Sequence, residues 1–300
     1  MSWRILGAGL VFVALWSSAF ATARIIVAHA PPLSALSMRF LISGLLAVAV
    51  ARALGQDWRL TRGQAVSVVV FGLCQNAIYL GMNFIALQWI EASLAVIIAA
   101  SMPLLVAALG WVFLGQRVPV LGVAGLLAGF LGVALIMGTR LSGGADLFGL
   151  ALCMAGAVAL AVATLTLGAA ASGGNVLMVV GLQMLVGSAA LAGLAALAEG
   201  RLFEVVAFTP APAFFAAFAW QILGPGLAAT LIWFWLVGRI GAVRAASFHF
   251  LNPAFGVLAA VVLLNEGLRG WDVVGTGIIM AGIAMVQRAR VVALERPSAG

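Results

Sequence analysis

Polar side chains are scarce in this chain, and the few inside its long apolar stretches are those whose types and spacing could do chemistry. Asn76, Tyr79 and Asn83 recur at i, i+3 and i+7 with Gln75 beside them, a spacing that shares one helical face. His249, Asn252 and Gly256 make a second such face, with Pro253 following Asn252. A third group runs Trp220, Gln221, Gly224-Pro225-Gly226, Thr230, Trp233 and Trp235, and a fourth is Trp16-Ser17-Ser18. Amides, hydroxyls, an imidazole and indoles can hydrogen-bond and stack on a small solute. An enzyme would need a convergent set of carboxylates, histidines or an activated nucleophile, and the sequence offers no convincing one. His29 and His249 are far apart and predict no metal site, while Cys74 and Cys153 fall in apolar runs, where a buried, inert thiol is the ordinary reading. No cofactor is expected.

Those groups must be positioned by elements of an unusual kind. Hydrophobic residues make up 65% of the 300 and charged ones 8%, against roughly a quarter charged in soluble proteins. Such a chain cannot coat a water-facing surface. Apolar runs of bilayer length lie near 5–25, 33–52, 63–87, 92–114, 118–138, 147–170, 175–198, 212–237, 241–264 and 270–288. A helix satisfies its own backbone hydrogen bonds in lipid, and the alternation of a barrel strand is missing, so the predicted fold is an all-α membrane protein of ten transmembrane helices. Arg4, the apolar run from Ile5 to Trp16 and Ala19-Phe20-Ala21 resemble a secretory signal. Nine further spans and the unbroken apolar character through Ile25 and Ile26 favour a first span instead.

The net charge of +7 comes from arginine alone. In a soluble chain it would suggest nucleic acid; here the charges sit at span ends, so lipid and topology explain them and no nucleic-acid partner is expected. With the amino terminus cytoplasmic, Arg4, Arg52, Arg59, Arg62, Arg117, Arg239, Arg244, Arg288, Arg290 and Arg296 fall inside and Arg24, Arg140, Arg201 and Arg269 outside. That distribution obeys the positive-inside rule and predicts both termini cytoplasmic. Trp58, Trp89 and Trp271 near loops read as interface anchors.

Polar atoms at mid-span are costly and need a reason. For Asn76, Tyr79 and Asn83, a seam between helices and the lining of a cavity account equally for three groups on one face. Pro253 frees a carbonyl near His249 and holds neighbouring backbone away, and Ser101-Met102-Pro103 stands in the matching place of the fourth span. Gly224-Pro225-Gly226 predicts a bent or loosened eighth span. Trp16, deep in the first span, fits interface anchoring poorly and is expected to line the cavity with Ser17. Thr164 and Thr166 are weaker candidates, because threonine often bonds its own helix. The expected substrate-binding set is Trp16, Ser17, Asn76, Tyr79, Asn83, Ser101, Thr164, Gln221, Trp233, His249 and Asn252, and the hinge or gating set Pro103, Pro225, Pro253 and Arg39.

His249 is the one deep group that titrates near neutral pH, which makes it the sole obvious proton carrier if transport is coupled; a neutral, hydrogen-bonded histidine is the other reading. Arg39, about two turns from the end of its span, should snorkel or pair with Glu91 or Asp272. Gly122, Gly125, Gly129 and Gly132, with Gly275 and Gly282, allow close helix packing within the chain or in a homodimer.

Sliding the chain along itself until Pro103 meets Pro253 also aligns Gly125 with Gly275, Gly132 with Gly282, Phe84 with Phe234 and Ile90 with Ile240. Two repeats follow, 1–141 and 142–290, with a cytoplasmic tail at 291–300. Five spans per repeat is odd, so the second copy enters from the opposite side; the flanking charges agree, Glu91 preceding the fourth span but Arg239 and Arg244 flanking the ninth. Inverted repeats are the architecture of secondary transporters, with the substrate between the halves at mid-bilayer. A channel-like facilitative carrier would use the same path.

The five-plus-five spans, Trp16-Ser17-Ser18-Ala19-Phe20, Pro31-Pro32 leading to Met38-Arg39-Phe40, and Pro103 and Pro253 with Glu266 beyond the ninth span together resemble the EamA-type branch of the drug/metabolite transporter superfamily. The resemblance covers nearly the whole chain and is nearest to the aromatic amino-acid exporters. It implies inner-membrane export of amino acids, aromatic or otherwise apolar, or of another small neutral metabolite or drug. Gln116 stands where the family usually carries a glutamate matching Glu266, which breaks the symmetry of that carboxylate pair. Phosphorylated substrates would call for deep Arg or Lys, and Arg39 is the only candidate.

Overall fold

The computed structural model describes residues 3–115, 118–142, 144, 146–167, 175–200, 211–240, 245 and 247–295. Gln116, Arg117, Arg201, Glu204, Arg244 and Arg296 lie outside them, as does the side chain of Thr166. The described residues of the ten apolar runs form helical rods: α1 Trp3–Val27, α2 Pro32–Ala53, α3 Arg62–Ala86, α4 Ala92–Leu114, α5 Val120–Ser142, α6 Leu147–Leu167, α7 Val176–Ala198 and α8 Pro212–Ile240. α9 is a tightly wound turn, Ser247–Leu251, continuing into Asn252–Leu264, and α10 is Gly270–Glu295. No strand occurs among the described residues. Eight of the rods are long and apolar enough to cross a membrane, and α6 and α9 contain shorter apolar helices over Leu147–Val162 and Phe248–Leu264.

The rods begin and end where local chemistry says they should. Thr61 and Gln64 form a capping box at the start of α3, the threonine hydroxyl accepting from Gln64 N at 3.3 Å and the glutamine carbonyl from Thr61 N at 3.0 Å. Pro32 and Pro212 open α2 and α8, where a missing N–H costs nothing. α4 and α9 end on left-handed residues, Gly115 and Asn265.

Two long seams hold the bundle. α2 lies along α7 and α5 along α10, and in both the backbones touch because glycines face each other. A methyl group on Gly282 would stand 2.6 Å from the Gly125 carbonyl, and one on Gly132 2.9 Å from the Gly275 carbonyl. Gly44 and Gly181 meet in the same way on α2 and α7. The predicted small-residue faces are thus used inside the chain.

Irregular turns recur in step with the repeat. α3 widens into π-helical winding over Gly72–Tyr79, and α8 over Ile222–Ala228, where Pro225 removes an N–H. α4 is broken at Ser101, with Pro103 opening Met102–Leu114, and α9 changes winding before Pro253 opens Asn252–Leu264. The offset that superposes Pro103 on Pro253 therefore serves α3 to α5 and α8 to α10. It does not serve the first two rods of each half: α1 and α2 correspond to α6 and α7 at a shorter separation, starting at Trp3 and Pro32 against Leu147 and Val176, because the connection after α7 is the longer one.

Candidate functional site

α1, α8 and α9 meet about half-way along α1, and there the structure gathers five of the expected residues. Trp16, Trp233, His249 and Asn252 are half-buried and Ser17 is buried. The Ser17 hydroxyl donates to Asn252 Oδ1 at 3.4 Å, and Asn252 Nδ2 lies 3.0 Å from His249 Nδ1. An amide nitrogen only donates, so Nδ1 accepts and the ring hydrogen sits on Nε2. Trp233 and Trp16 flank the imidazole at centroid distances of 5.0 and 5.9 Å, and Phe12 meets it edge-on at 5.1 Å. Phe12 went unnoticed in the sequence, although it lies one turn before Trp16 on the same face, the spacing that should have flagged it. The result is an aromatic box, its rings packed against one another over a short hydrogen-bonded floor.

Gln221 stands beside the box and ties α8 to α1, its Nε2 donating to the Ala19 carbonyl at 2.6 Å and to Thr22 Oγ1 at 3.0 Å. Trp220 Nε1 donates to Ser18 Oγ at 2.8 Å. Pro225 sits in the widened turn directly after them.

The other expected lining residues are drawn elsewhere. Asn76 donates to the Gln183 carbonyl on α7 at 3.0 Å. Asn83 donates to the Tyr79 carbonyl at 2.7 Å and accepts from Cys153 Sγ of α6 at 3.3 Å. They do not share a face: the π-helical winding adds a residue to each hydrogen-bonded ring, so the i, i+7 rule of an α-helix fails between them. Tyr79 is half-buried and its carbonyl is crossed closely by Gly156 of α6. Ser101 and Thr164 donate to Ile98 and Leu160 of their own helices, at 2.6 and 2.8 Å.

Arg39 departs from expectation. It neither snorkels nor pairs with Glu91 or Asp272, because Arg140 holds both carboxylates. Arg140 Nε and Nη2 donate to Asp272 Oδ1 and Oδ2 at 3.1 and 2.7 Å, and Nη1 bonds Glu91 Oε2. This fork joins the end of α5 to the starts of α4 and α10; Arg140 and Asp272 are buried, 3% and 2% exposed, while Glu91 is partly open to the surface. Arg39 itself is 6% exposed and makes no hydrogen bond or ion pair among the described residues; its guanidinium carbon lies 4.9 Å from the centroid of the Phe40 ring.

The same end carries two carboxylate caps. Glu266 accepts from the Ala92 and Ser93 amides at 2.7 and 3.0 Å, closing the start of α4. Glu199 does the same for α2, accepting from the Leu33 and Ser34 amides at 2.7 and 2.9 Å and from Ser34 Oγ at 2.6 Å. Arg24 donates to the Leu87 and Ile90 carbonyls nearby. At the opposite end neutral groups do this work: Gln56 Oε1 accepts from Met178 N of α7 at 3.0 Å, Thr61 and Gln64 cap α3, and Asn175 Oδ1 accepts from Asp57 N of the α2–α3 connection at 3.2 Å.

The fold, the helical rods of membrane length and the polar centre define a multi-pass membrane protein. The model of the EamA-like transporter family matches the chain twice, over residues 3–138 and 147–288, and the chain belongs to that family. It is 28% identical over 283 residues to "Uncharacterized transporter YvbV" of Bacillus subtilis, covering 91% of this chain and 88% of that one. It is 27% identical over 298 residues to "Probable amino-acid metabolite efflux pump" of Salmonella typhimurium, covering 91% of each. "Uncharacterized inner membrane transporter YedA" of Escherichia coli K12 is 24% identical over 289 residues, covering 94% of this chain and 90% of that one. A solved crystal structure at 22% identity shares the fold, with a TM-score of 0.67 over 99% of this chain and 100% of the other. The protein is a transporter.

Proposed function

We propose that the protein exports amino acids with aromatic or other apolar side chains, or similar small metabolites, across a bacterial inner membrane by alternating access. In this reading ten spans form two oppositely inserted halves, both termini are cytoplasmic, and the Arg140 end faces outward. The observation that carries it is the half-buried box of Trp16, Trp233, His249 and Asn252, set between rods whose winding changes at that depth. Aromatic walls suit an apolar side chain, and a polar floor of amide, hydroxyl and imidazole suits a group that hydrogen-bonds. The irregular turns in α8 and α9 give the rods places to bend without breaking regular hydrogen bonds.

Three further observations support the reading. α2 packs on α7, α4 on α9 and α5 on α10, so these rods touch their counterparts in the other half, as two halves related by a two-fold axis would. The carboxylates assigned to the outer face, Glu91, Glu199, Glu266 and Asp272, stand at helix ends held together there by Arg140 and backbone amides. The Salmonella relative is named as an amino-acid metabolite efflux pump, and the Escherichia coli relative as an inner membrane transporter.

The test is counterflow in liposomes. Vesicles holding the full chain and loaded with unlabelled phenylalanine, leucine or alanine are diluted into the labelled solute at several imposed pH gradients. Transient, saturable accumulation of the apolar solutes is expected. Uptake proportional to concentration without counterflow would replace the carrier by a channel, and no uptake of any amino acid would remove the substrate class.

A further inference from the structure

Three buried polar atoms on α2 and α8 have no hydrogen-bond partner: Arg39 Nε, Ser43 Oγ and Gln221 Oε1. Arg39 and Ser43 are one turn apart on one face of α2. Ser43 looks at α8, since a methyl group on Gly226 would lie 3.2 Å from its hydroxyl. α2 and α8 run the same way, because each is antiparallel to α1: α2 follows it through a short connection, and Phe12 faces Trp233 while Thr22 bonds Gln221. Moving back along both rods from the Ser43–Gly226 contact reaches Arg39 on one and Gln221 on the other, so the two residues stand at about the same depth on neighbouring rods. That depth is about one turn from Trp16, toward the Arg140 end.

A guanidinium stays protonated, and leaving it unpaired away from water is costly. Proteins retain such a group where an anion comes to it, and its fork matches a carboxylate in two parallel bonds. Among the described residues the carboxylates have other partners: Asp272 and Glu91 have Arg140, and Glu199, Glu266, Asp146 and Asp57 accept from backbone amides. From Arg39, Ser43 and Gln221 we infer a subsite for the head group of the solute, in which Arg39, helped by the Ser43 hydroxyl, receives a carboxylate and Gln221 Oε1 accepts from an ammonium. One positive charge balances one carboxylate, and the acceptor beside it serves the second pole of a zwitterion. The side chain of that solute then points along α1 into the box of Trp16, Trp233 and His249. The inference rests on the function proposed above and narrows it to solutes bearing a free carboxylate. It replaces the sequence expectation of a gating ion pair at Arg39.

The experiment measures thermal stabilisation of the full-length protein in nanodiscs by L-phenylalanine, L-phenylalaninamide and 3-phenylpropionate, for wild type, Arg39→Gln and Gln221→Glu. A charge-assisted pair predicts that the wild type binds phenylalanine at least about ten-fold more tightly than the amide. Arg39→Gln should erase that preference while melting, without ligand, at the same or a higher temperature, because an uncompensated charge has been removed. Gln221→Glu puts a carboxylate beside Arg39 and should weaken phenylalanine by about ten-fold, by occupying the guanidinium and repelling the solute carboxylate. The inference is overturned if Arg39→Gln keeps the preference for phenylalanine over its amide, if it melts well below wild type with equal losses for all three probes, or if the wild type binds neither phenylalanine nor 3-phenylpropionate. Should Arg39 fold only as arginine, a Gln221→Glu variant that binds phenylalanine as wild type does overturns it equally. Binding of 3-phenylpropionate that depends on Arg39, together with no amino-acid counterflow, upholds the anion subsite and rejects the proposed substrate.

Discussion

The two ends of the bundle are built from the same kinds of helix end and closed by different chemistry. At one, the amides that open α2 and α4 are capped by Glu199 and Glu266, and Arg140 forks Asp272 and Glu91 together. At the other, the amide that opens α7 is taken by Gln56, and Asn175 reaches across to Asp57 N. A carboxylate at a helix start gains from the positive end of the macrodipole as well as from the hydrogen bond, whereas an amide gains the hydrogen bond alone. Two halves that repeat one another need not produce two equal ends: a handful of terminal residues decides which end is tied more firmly. If the halves rock about the centre, the Gln56 end is the cheaper one to open.

The largest effect should follow from Arg140→Met. It would leave Asp272, 2% exposed, buried without its partner, a change that costs about 3–5 kcal/mol. A fall in the melting temperature of the purified protein, partly restored by Asp272→Asn in the same chain, checks it; an unchanged melting temperature would mean that the fork contributes little. Gly282→Val comes next, because even a Cβ would stand 2.6 Å from the Gly125 carbonyl and α5 would be pushed off α10; overpacking of this kind costs about 1–3 kcal/mol. The matched change Gly277→Val, at a position with open space, should cost far less, and equal losses would deny the close seam.

Smaller changes act on the caps themselves. Glu266→Ala should lose about 1 kcal/mol by freeing the Ala92 and Ser93 amides. Gln56→Glu should gain a few tenths of a kcal/mol to about 1 kcal/mol by bringing a carboxylate to the start of α7. If the ends differ as described, the first substitution should speed solute release at the Arg140 end and the second slow it at the other, read as opposite shifts in the two half-reactions of counterflow. His249→Ala removes the imidazole that takes the Asn252 amide, and transport rates across pH report whether that ring carries a proton. A profile that keeps its shape leaves His249 as a wall of the box.

The rods were legible because apolar runs of bilayer length have few other uses, and Pro103 and Pro253 marked the breaks in α4 and α9. Asn252, His249, Trp16 and Trp233 were legible for a similar reason, being polar or indole groups where lipid would reject them. The widened turn of α3 was not, since a change in hydrogen-bond ring size leaves no side-chain signature, and it undid the shared face of Asn76 and Asn83. The Arg140 fork was hidden for another reason. An arginine next to a loop reads as exposed, and its partners Glu91 and Asp272 are far away in sequence. Arg39 was assigned partners that a second arginine had already claimed.

Accessibility of the centre tests the account most directly. With Cys74 and Cys153 replaced by alanine and Ser17→Cys as the single thiol, membrane-impermeant maleimide is applied to either face of oriented vesicles, with and without a transported amino acid. Alternating access predicts labelling from one face at a time, with the favoured face changed by solute. Labelling from both faces at once, or from neither under any condition, would contradict it.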